Sequence, residues 1–443
     1  MRCLILSIGT IYNMKNINIT KVTMFLIALA VISAPFDELL MIEVGGLTLR
    51  FSLVFIMAAC FCLLIVWCQR KEILVPVGSN LLISLLILNG VFSVINSSES
   101  LMMQLGYQIW FLLDVMLVLL CVNLFFKEKD KHLLFILWTC VFVAMAVICI
   151  IQLILGIWGI QFYQEQYFGR LPRCDAFLSE PSYYACFILP GWVTFAWLLE
   201  QREEYIFSRK AQWGIWLLFT ITLMFSTSRM GILMTAAWLV FRLLAACFTH
   251  HSARRDRLKV LAFLIAASVL ALLMVGLIYA IANNELLAVK NSIPPAQEGF
   301  SDRIMDTAGS DTPRIEGMIW TLRAFWENHL WVGSSLGGVY AEVMHVAPEN
   351  VWQVSNLCAE LLVALGLPGF LALIAYLLRL VQKSIIARKD NKIVIAILWG
   401  ILWQLGILQF NNNGFRIYLW GNIALLSTYL PAKRLNFGVR KGS

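Results

Sequence analysis

About twelve apolar stretches, each close to the length that crosses a bilayer, constrain this chain more than any other feature. They run at roughly 22–36, 47–68, 75–95, 105–126, 132–155, 182–200, 211–226, 230–249, 258–282, 353–381, 392–410 and 414–430. A helix needs about 20 residues to cross about 30 Å of hydrocarbon. Inside that layer the backbone finds no water, so each stretch must satisfy its own hydrogen bonds, which a helix does within one segment. The pattern predicts an all-α polytopic membrane protein of about twelve transmembrane helices, with residues 1–443 forming one domain. Composition agrees. The chain is 60% hydrophobic and 14% charged, whereas soluble domains average about 45–50% and about 25%.

Lysine and arginine set the expected orientation. With the N-terminus placed in the cytoplasm, 25 of the 34 basic residues fall in inner segments and nine in outer ones. This split predicts that both termini are cytoplasmic. It also explains the net charge of +8 without nucleic acid. The opening residues, MRCLILSIGTIYNMKN, are too short and interrupted for a cleavable signal peptide, so none is expected. Most of the eleven cysteines lie inside apolar runs and read as small hydrophobes, without metal spacing or a disulfide framework. Cys174 alone falls in a clear outer loop. No internal repeat is visible, which weighs against an inverted-repeat transporter.

Two outer loops are long, 156–181 and 283–352. Connections usually take about 4–6 residues, and long loops on a rigid scaffold tend to carry function. The nine outer basic residues run against the topological bias, and eight of them are arginines: Arg50, Arg170, Arg173, Arg229, Arg303, Arg314, Arg323 and Arg416. A guanidinium offers a planar fork that matches phosphate oxygens. A diphosphate at the outer surface suits the set; pairing with lipid phosphates or loop acids suits each residue singly. In the larger loop, DTPRIEGMIWTLRAFWENH predicts a helix capped by Thr312 with Pro313 at its first position. Its Ile315, Met318, Ile319, Leu322, Phe325 and Trp326 share one face, with Glu316, Arg323 and Glu327 opposite. Such a helix lies on a membrane surface or packs on the bundle. WVGSSLGGVY reads as a tight turn. His329 and His345 are the outer histidines, either able to act as a base near neutral pH.

Glu180 sits in FLSEPSYYACF, where a polar stretch meets an apolar run. Tyr183 and Tyr184 beside it suit headgroup depth, and aromatic faces also stack on sugars. Two roles are open for the carboxylate: moving a proton, or an ion pair with Arg170, Arg173 or Arg229 that fixes the loop.

These motifs together resemble the O-antigen ligase and polymerase superfamily. SEPSYYA precedes a helix, STSRMG opens another, and PRIEGMIW, FWENHLWVGSSLGG and SNLCAELLVALGLPGFLALI bracket the large loop. The resemblance implies glycan transfer from a polyprenyl-diphosphate carrier at the periplasmic face of a bacterial inner membrane, with no cofactor and no metal. It implies catalytic roles for Arg229, matched to the arginine thought to bind diphosphate, and for Arg314, matched to the loop arginine. Glu180 completes the expected catalytic set. Arg170, Arg173, Arg323, Tyr183, Tyr184, His345 and Asn356 are the expected substrate-binding residues, and Glu360 also matches the helix after the loop. Ligases of the family usually carry a histidine directly before that asparagine, where this chain has Ser355. That departure favours a polymerase, whose donor and acceptor are both undecaprenyl-diphosphate-linked glycans and whose partners include a chain-length regulator protein. A ligase acting on lipid A core is the first alternative. A flippase is the second, but charges within helices are few, Asp114 being the clearest.

Overall fold

The structure is a computed structural model. It describes residues 18–36, 39–44, 47–95, 101–158, 160, 162, 167–168, 171–248, 251–283, 308–347, 356–389, 391–411 and 416–436. Among the described residues the chain forms fourteen helices. They are α1 (Ile19–Ser33), α2 (Phe51–Arg70), α3 (Ser79–Ile95), α4 (Leu101–Leu124), α5 (Glu128–Ile157), α6 (Pro181–Gln201), α7 (Arg209–Phe225), α8 (Arg229–Cys247), α9 (His251–Asn283), α10 (Ala308–Asn328), α11 (Val339–Val346), α12 (Leu357–Ala387), α13 (Ile393–Ile407) and α14 (Ile417–Tyr429). Each expected apolar stretch is one of these helices. Seven of the fourteen are long and apolar enough to cross a membrane by length and composition. The chain is an all-α polytopic membrane protein. Three small antiparallel pairs add to this, one of which clips Glu72–Val75 to Lys433–Asn436.

The core is organised around α6. Its residues from Tyr184 to Glu200 are all buried, so its sequence, FILPGWVTFAWLL, is apolar on every side. Pro190 lies within it and has no N–H to reach the carbonyl of Cys186. Gln404 on α13 donates to that carbonyl instead, at 3.3 Å. The same Gln404 accepts from Asn422 of α14 at 2.8 Å, and Asn422 accepts from Trp138 of α5 at 2.7 Å. A proline that would otherwise orphan a buried carbonyl is thus tied into a polar chain that joins four helices.

A second break shapes α12. Gly366 has φ 61°, ψ 178° and Pro368 follows, so the helical bonds of Val363 and Ala364 are lost. The GSSLGG segment (333–338) supplies the replacements. Ser334 N donates to Val363 O at 2.8 Å, Ser335 N to Ala364 O at 3.0 Å, and Leu367 N to Leu330 O at 2.9 Å. The tight turn expected from the sequence is therefore buried in the bundle, with Leu336 N held by Asn89 of α3 at 2.9 Å. Gly333 is required there, because a Cβ would collide with the backbone carbonyl of Ala364. Gly333→Ala should lower stability by about 2–4 kcal/mol, combining overpacking with strained loop bonds. Thermal unfolding in detergent measures it. Gly214→Ala, where a Cβ meets nothing within 4 Å, is the matched control and should be neutral or stabilising.

Helix α10 corrects its expected start and leaves most of its apolar face exposed. It begins at Ala308, so Thr312 and Pro313 lie inside it rather than at its start. Pro313 forfeits only the bond to Gly309 O, close to the end where N–H groups have no intrahelical partner. The apolar face is also not the packed one. Ile315, Ile319, Leu322 and Trp326 are exposed, Trp326 by 72%. The buried stripe is Gly317, Thr321, Ala324 and Phe325, a run of mostly small residues that lets α10 approach α12 closely.

Candidate functional site

Helices α6, α8, α12 and α14 begin at the end of the bundle where Glu180 sits. Packing fixes this. Tyr184 near the start of α6 donates to Thr222 near the end of α7 at 2.8 Å. Gly231, in the first turn of α8, has no room for a Cβ against Ala185 of α6. Tyr418, in the first turn of α14, meets Phe187 with ring centroids 5.9 Å apart. Leu357 N at the start of α12 donates to Leu408 O at the end of α13, at 3.2 Å.

The segment before α6 is clamped at this end. Gln152 of α5 is fully buried; its amide donates to Asp175 Oδ1 and Ala176 O and accepts from Ala176 N, each at 2.9 Å. Ala176 has φ 56°, a left-handed conformation that an alanine adopts only when its surroundings fix it. The clamp presents Arg173 to the α7–α8 turn, where its Nε donates to Thr227 Oγ1 at 2.7 Å and to Ser226 O at 3.3 Å. That turn is tight, with Thr227 at φ 49°. Ser228 then caps α8 by accepting from Gly231 N at 3.3 Å, and Arg229 takes the first helical position.

Glu180 is the N-cap of α6, followed by Pro181 at the first helical position. Its side chain does not cap the helix. It accepts from Ser182 Oγ at 2.8 Å. Among the described residues no ion pair within 4 Å involves it, so the expected salt bridge to Arg173 or Arg229 does not form. Three residues on, Tyr183 lies under Arg416, whose guanidinium carbon is 5.3 Å from the ring centroid. Arg416 is the N-cap of α14.

The other candidates fall in different places. Tyr184, expected to meet substrate, is fully buried with its hydroxyl spent on Thr222; it is a tie between helices. Asn356 caps α12 by accepting from Ala359 N at 2.9 Å and donates to Gln409 O at 2.8 Å. Glu360, in the first turn of α12, is buried. Arg323 is exposed, pairs with Glu327 at 2.7 Å and stacks over Trp320 at 5.2 Å. His345 is exposed in the last turn of α11. The buried histidine is His329. Its Nε2 lies 2.9 Å from Glu342 and its Nδ1 3.2 Å from Val332 O. Both ring nitrogens thus face an oxygen. His329 thereby pins α10 to α11. Arg170 and the side chain of Arg314 lie outside the described residues, as does Ser355. No group of three or more His, Cys, Asp or Glu close enough to hold a metal occurs among the described residues.

Sequence reasoning passed over the Gln152–Asp175 clamp. Its signal was present as a lone amide near the end of an apolar run, which in a membrane needs a partner. Residues 214–374 match a family model described as O-Antigen ligase, a stretch that holds Arg229, Arg314, Arg323, His345 and Asn356 but neither Glu180 nor Arg416. No curated protein matches the chain.

Proposed function

We propose that this chain, whose residues 214–374 match a family model described as O-Antigen ligase, is a glycosyltransferase that polymerises undecaprenyl-diphosphate-linked repeat units. It works at the periplasmic face of a bacterial inner membrane, with both termini in the cytoplasm. The observation that carries this reading is the Glu180 end of the bundle, where a carboxylate with no ion pair among the described residues lies at the same end as Arg173, Arg229 and Arg416.

An acceptor hydroxyl attacks the anomeric carbon of the donor glycan. A new glycosidic C–O bond forms as the bond from that carbon to the diphosphate oxygen breaks. The electron pair leaves on undecaprenyl diphosphate, and Glu180 takes the hydroxyl proton. Arg229, with Arg173 and Arg314, offsets the charge that develops on the leaving group, commonly the largest single contribution in such chemistry. Holding two membrane-tethered reactants beside one carboxylate supplies proximity. Tyr183 offers an aromatic face to a sugar ring. The exposed apolar face of α10 suits a helix lying at headgroup depth.

Purified protein given a synthetic undecaprenyl-diphosphate repeat unit in detergent should yield a ladder of longer products, which a flippase could not make. Arg229→Ala should reduce the ladder to single units. An unchanged ladder would remove the arginine from the mechanism. The description of the matched family favours a second reading, a ligase onto lipid A core. Deletion in cells separates the two. Single repeat units left on the core mean a polymerase, and bare core means a ligase.

A further inference from the structure

We propose that residues 308–346 form a re-entrant element sunk into the membrane leaflet at the Glu180 end, with lipid acyl chains as the partner of its exposed apolar surface. Neither the depth nor the facing of these residues depends on which transfer the chain performs.

Helices α3 and α4 give the depth. Phe111 of α4 meets Trp420 near the start of α14, with ring centroids 5.7 Å apart. Asn123, near the end of α4, accepts from Leu74 N just before α3, at 2.9 Å. So α3 ends and α4 starts at the Glu180 end. Measured from the far end, Gly78 precedes α3 and has no room for a Cβ against Tyr376 of α12. About 13 Å back along α12 from Tyr376, Leu367 N donates to Leu330 O at 2.9 Å. Measured from the near end, Asn89 lies about 9 Å before the last residue of α3, and Gln108 about 10 Å after the first residue of α4. Asn89 donates to Gln108 and accepts from Leu336 N. Leu330 and Leu336 are therefore held between the two ends of α3, an apolar helix about 25 Å long. Irregular backbone at such a depth needs protein around it, and residues 333–339 are all buried. Trp331 and Val332, beside the break at Gly366, are instead 66% and 39% exposed. At that level the surrounding medium is lipid.

The facing of α10 agrees. Successive residues of a helix turn by roughly 100°. Ile315, Ile319, Leu322 and Trp326 thus share one stripe, and all four are exposed. Glu316, Arg323 and Glu327 form a second exposed stripe about 100° further round. Gly317, Thr321 and Ala324 form the packed stripe about 100° beyond that. A helix resting on a membrane surface sets its apolar stripe opposite its polar one. Here, with the polar stripe turned to water, the packed stripe faces the bundle and the apolar stripe points sideways along the membrane plane. A helix sunk to its waist beside the bundle has acyl chains on that flank. The choice of side chains favours lipid over a second copy of the chain. Helix contacts inside a membrane are made by small residues, and in α10 the small residues are already spent on the packed stripe, while the exposed stripe is large throughout.

Photocrosslinking reads the cover directly. The full chain in phospholipid nanodiscs carries benzoylphenylalanine in place of Ile319, Trp326, Trp331 or Glu316, one at a time, with gel filtration to confirm folding. Irradiation should give phospholipid adducts, detected by mass spectrometry, at 319, 326 and 331 and none at 316. Adducts of dimer size at 319 or 326 would overturn the proposal in favour of a second copy. An absence of lipid adducts at 319 and 326 would overturn it in favour of water. Trp326→Phe and Trp331→Phe give a second reading with natural side chains. In nanodiscs whose lipids carry bromine on the acyl chains, wild type should lose tryptophan emission that each variant lacks from the outset. Equal quenched emission in wild type and both variants would place the two rings outside the acyl region and sink the idea.

Discussion

Arg242→Leu should leave little folded protein after extraction, the largest stability loss expected of any single replacement described. Arg242 on α8 meets Glu200 near the end of α6 through two hydrogen bonds, Nε to Oε2 at 2.7 Å and a terminal nitrogen to Oε1 at 2.6 Å. The side chains are 10% and 1% exposed. Trp238 and Phe241 flank the guanidinium, 5.5 Å and 5.9 Å from its carbon. Removing the cation strands a buried carboxylate, which typically costs about 3–5 kcal/mol. That is a large part of the about 5–15 kcal/mol that holds a folded domain together. Replacing both partners by apolar residues of similar volume is often neutral. So Glu200→Met with Arg242→Met should recover most of the loss. Fluorescence-detected gel filtration after a heat step reads all three variants. Full stability in Arg242→Leu alone would mean that the pair contributes nothing to α6–α8 packing. Because α6 also carries Glu180, the same variant should lose activity in proportion to folded protein and no further.

How much of this was legible beforehand follows from which forces act locally. The helices were readable because bilayer length and backbone self-satisfaction act on each segment alone: α5, α9 and α12 announce themselves by apolar length. The two repairs inside the bundle were not readable. Pro190 and Gln404 lie in different helices, and nothing local says that the amide of one answers the missing donor of the other. GSSLGG reads only as a tight turn, and nothing local shows that it is buried, because its partner, the break at Gly366, lies some thirty residues further along. In α10 most of the apolar residues marked the exposed side and not the packed side. In lipid, small residues mark a helix contact better than large ones, and Gly317, Thr321 and Ala324 are small. The candidate site was partly legible. Unusual outer arginines flagged Arg173, Arg229 and Arg416 singly, but only the packing of helices around α6 sets them at one end of the bundle. Tyr184 was misread because sequence cannot tell which of two adjacent tyrosines turns inward.

Glu180→Gln should separate the two roles the sequence left open. If the carboxylate held an arginine in place, losing its charge would loosen the segment before α6 and lower the unfolding temperature. The geometry argues otherwise: the carboxylate accepts from Ser182 at 2.8 Å, while the segment is clamped by Gln152 and Arg173 is held by Thr227. Glutamine keeps an oxygen for Ser182, so thermal stability should stay within about 0.5 kcal/mol of wild type, as for surface replacements. Turnover should fall much further. Removing a positioned base typically costs about 10²–10⁴ in rate, and glutamine cannot take the proton. The fall should appear in kcat with little change in KM, since an interaction made only in the transition state leaves ground-state binding alone. Arg229→Gln should differ, raising KM as well, because a cation that meets the diphosphate binds the ground state too. A Glu180→Gln enzyme that is unstable yet fully active per folded molecule would return the residue to a structural role. A stable and inactive one leaves proton transfer as its work.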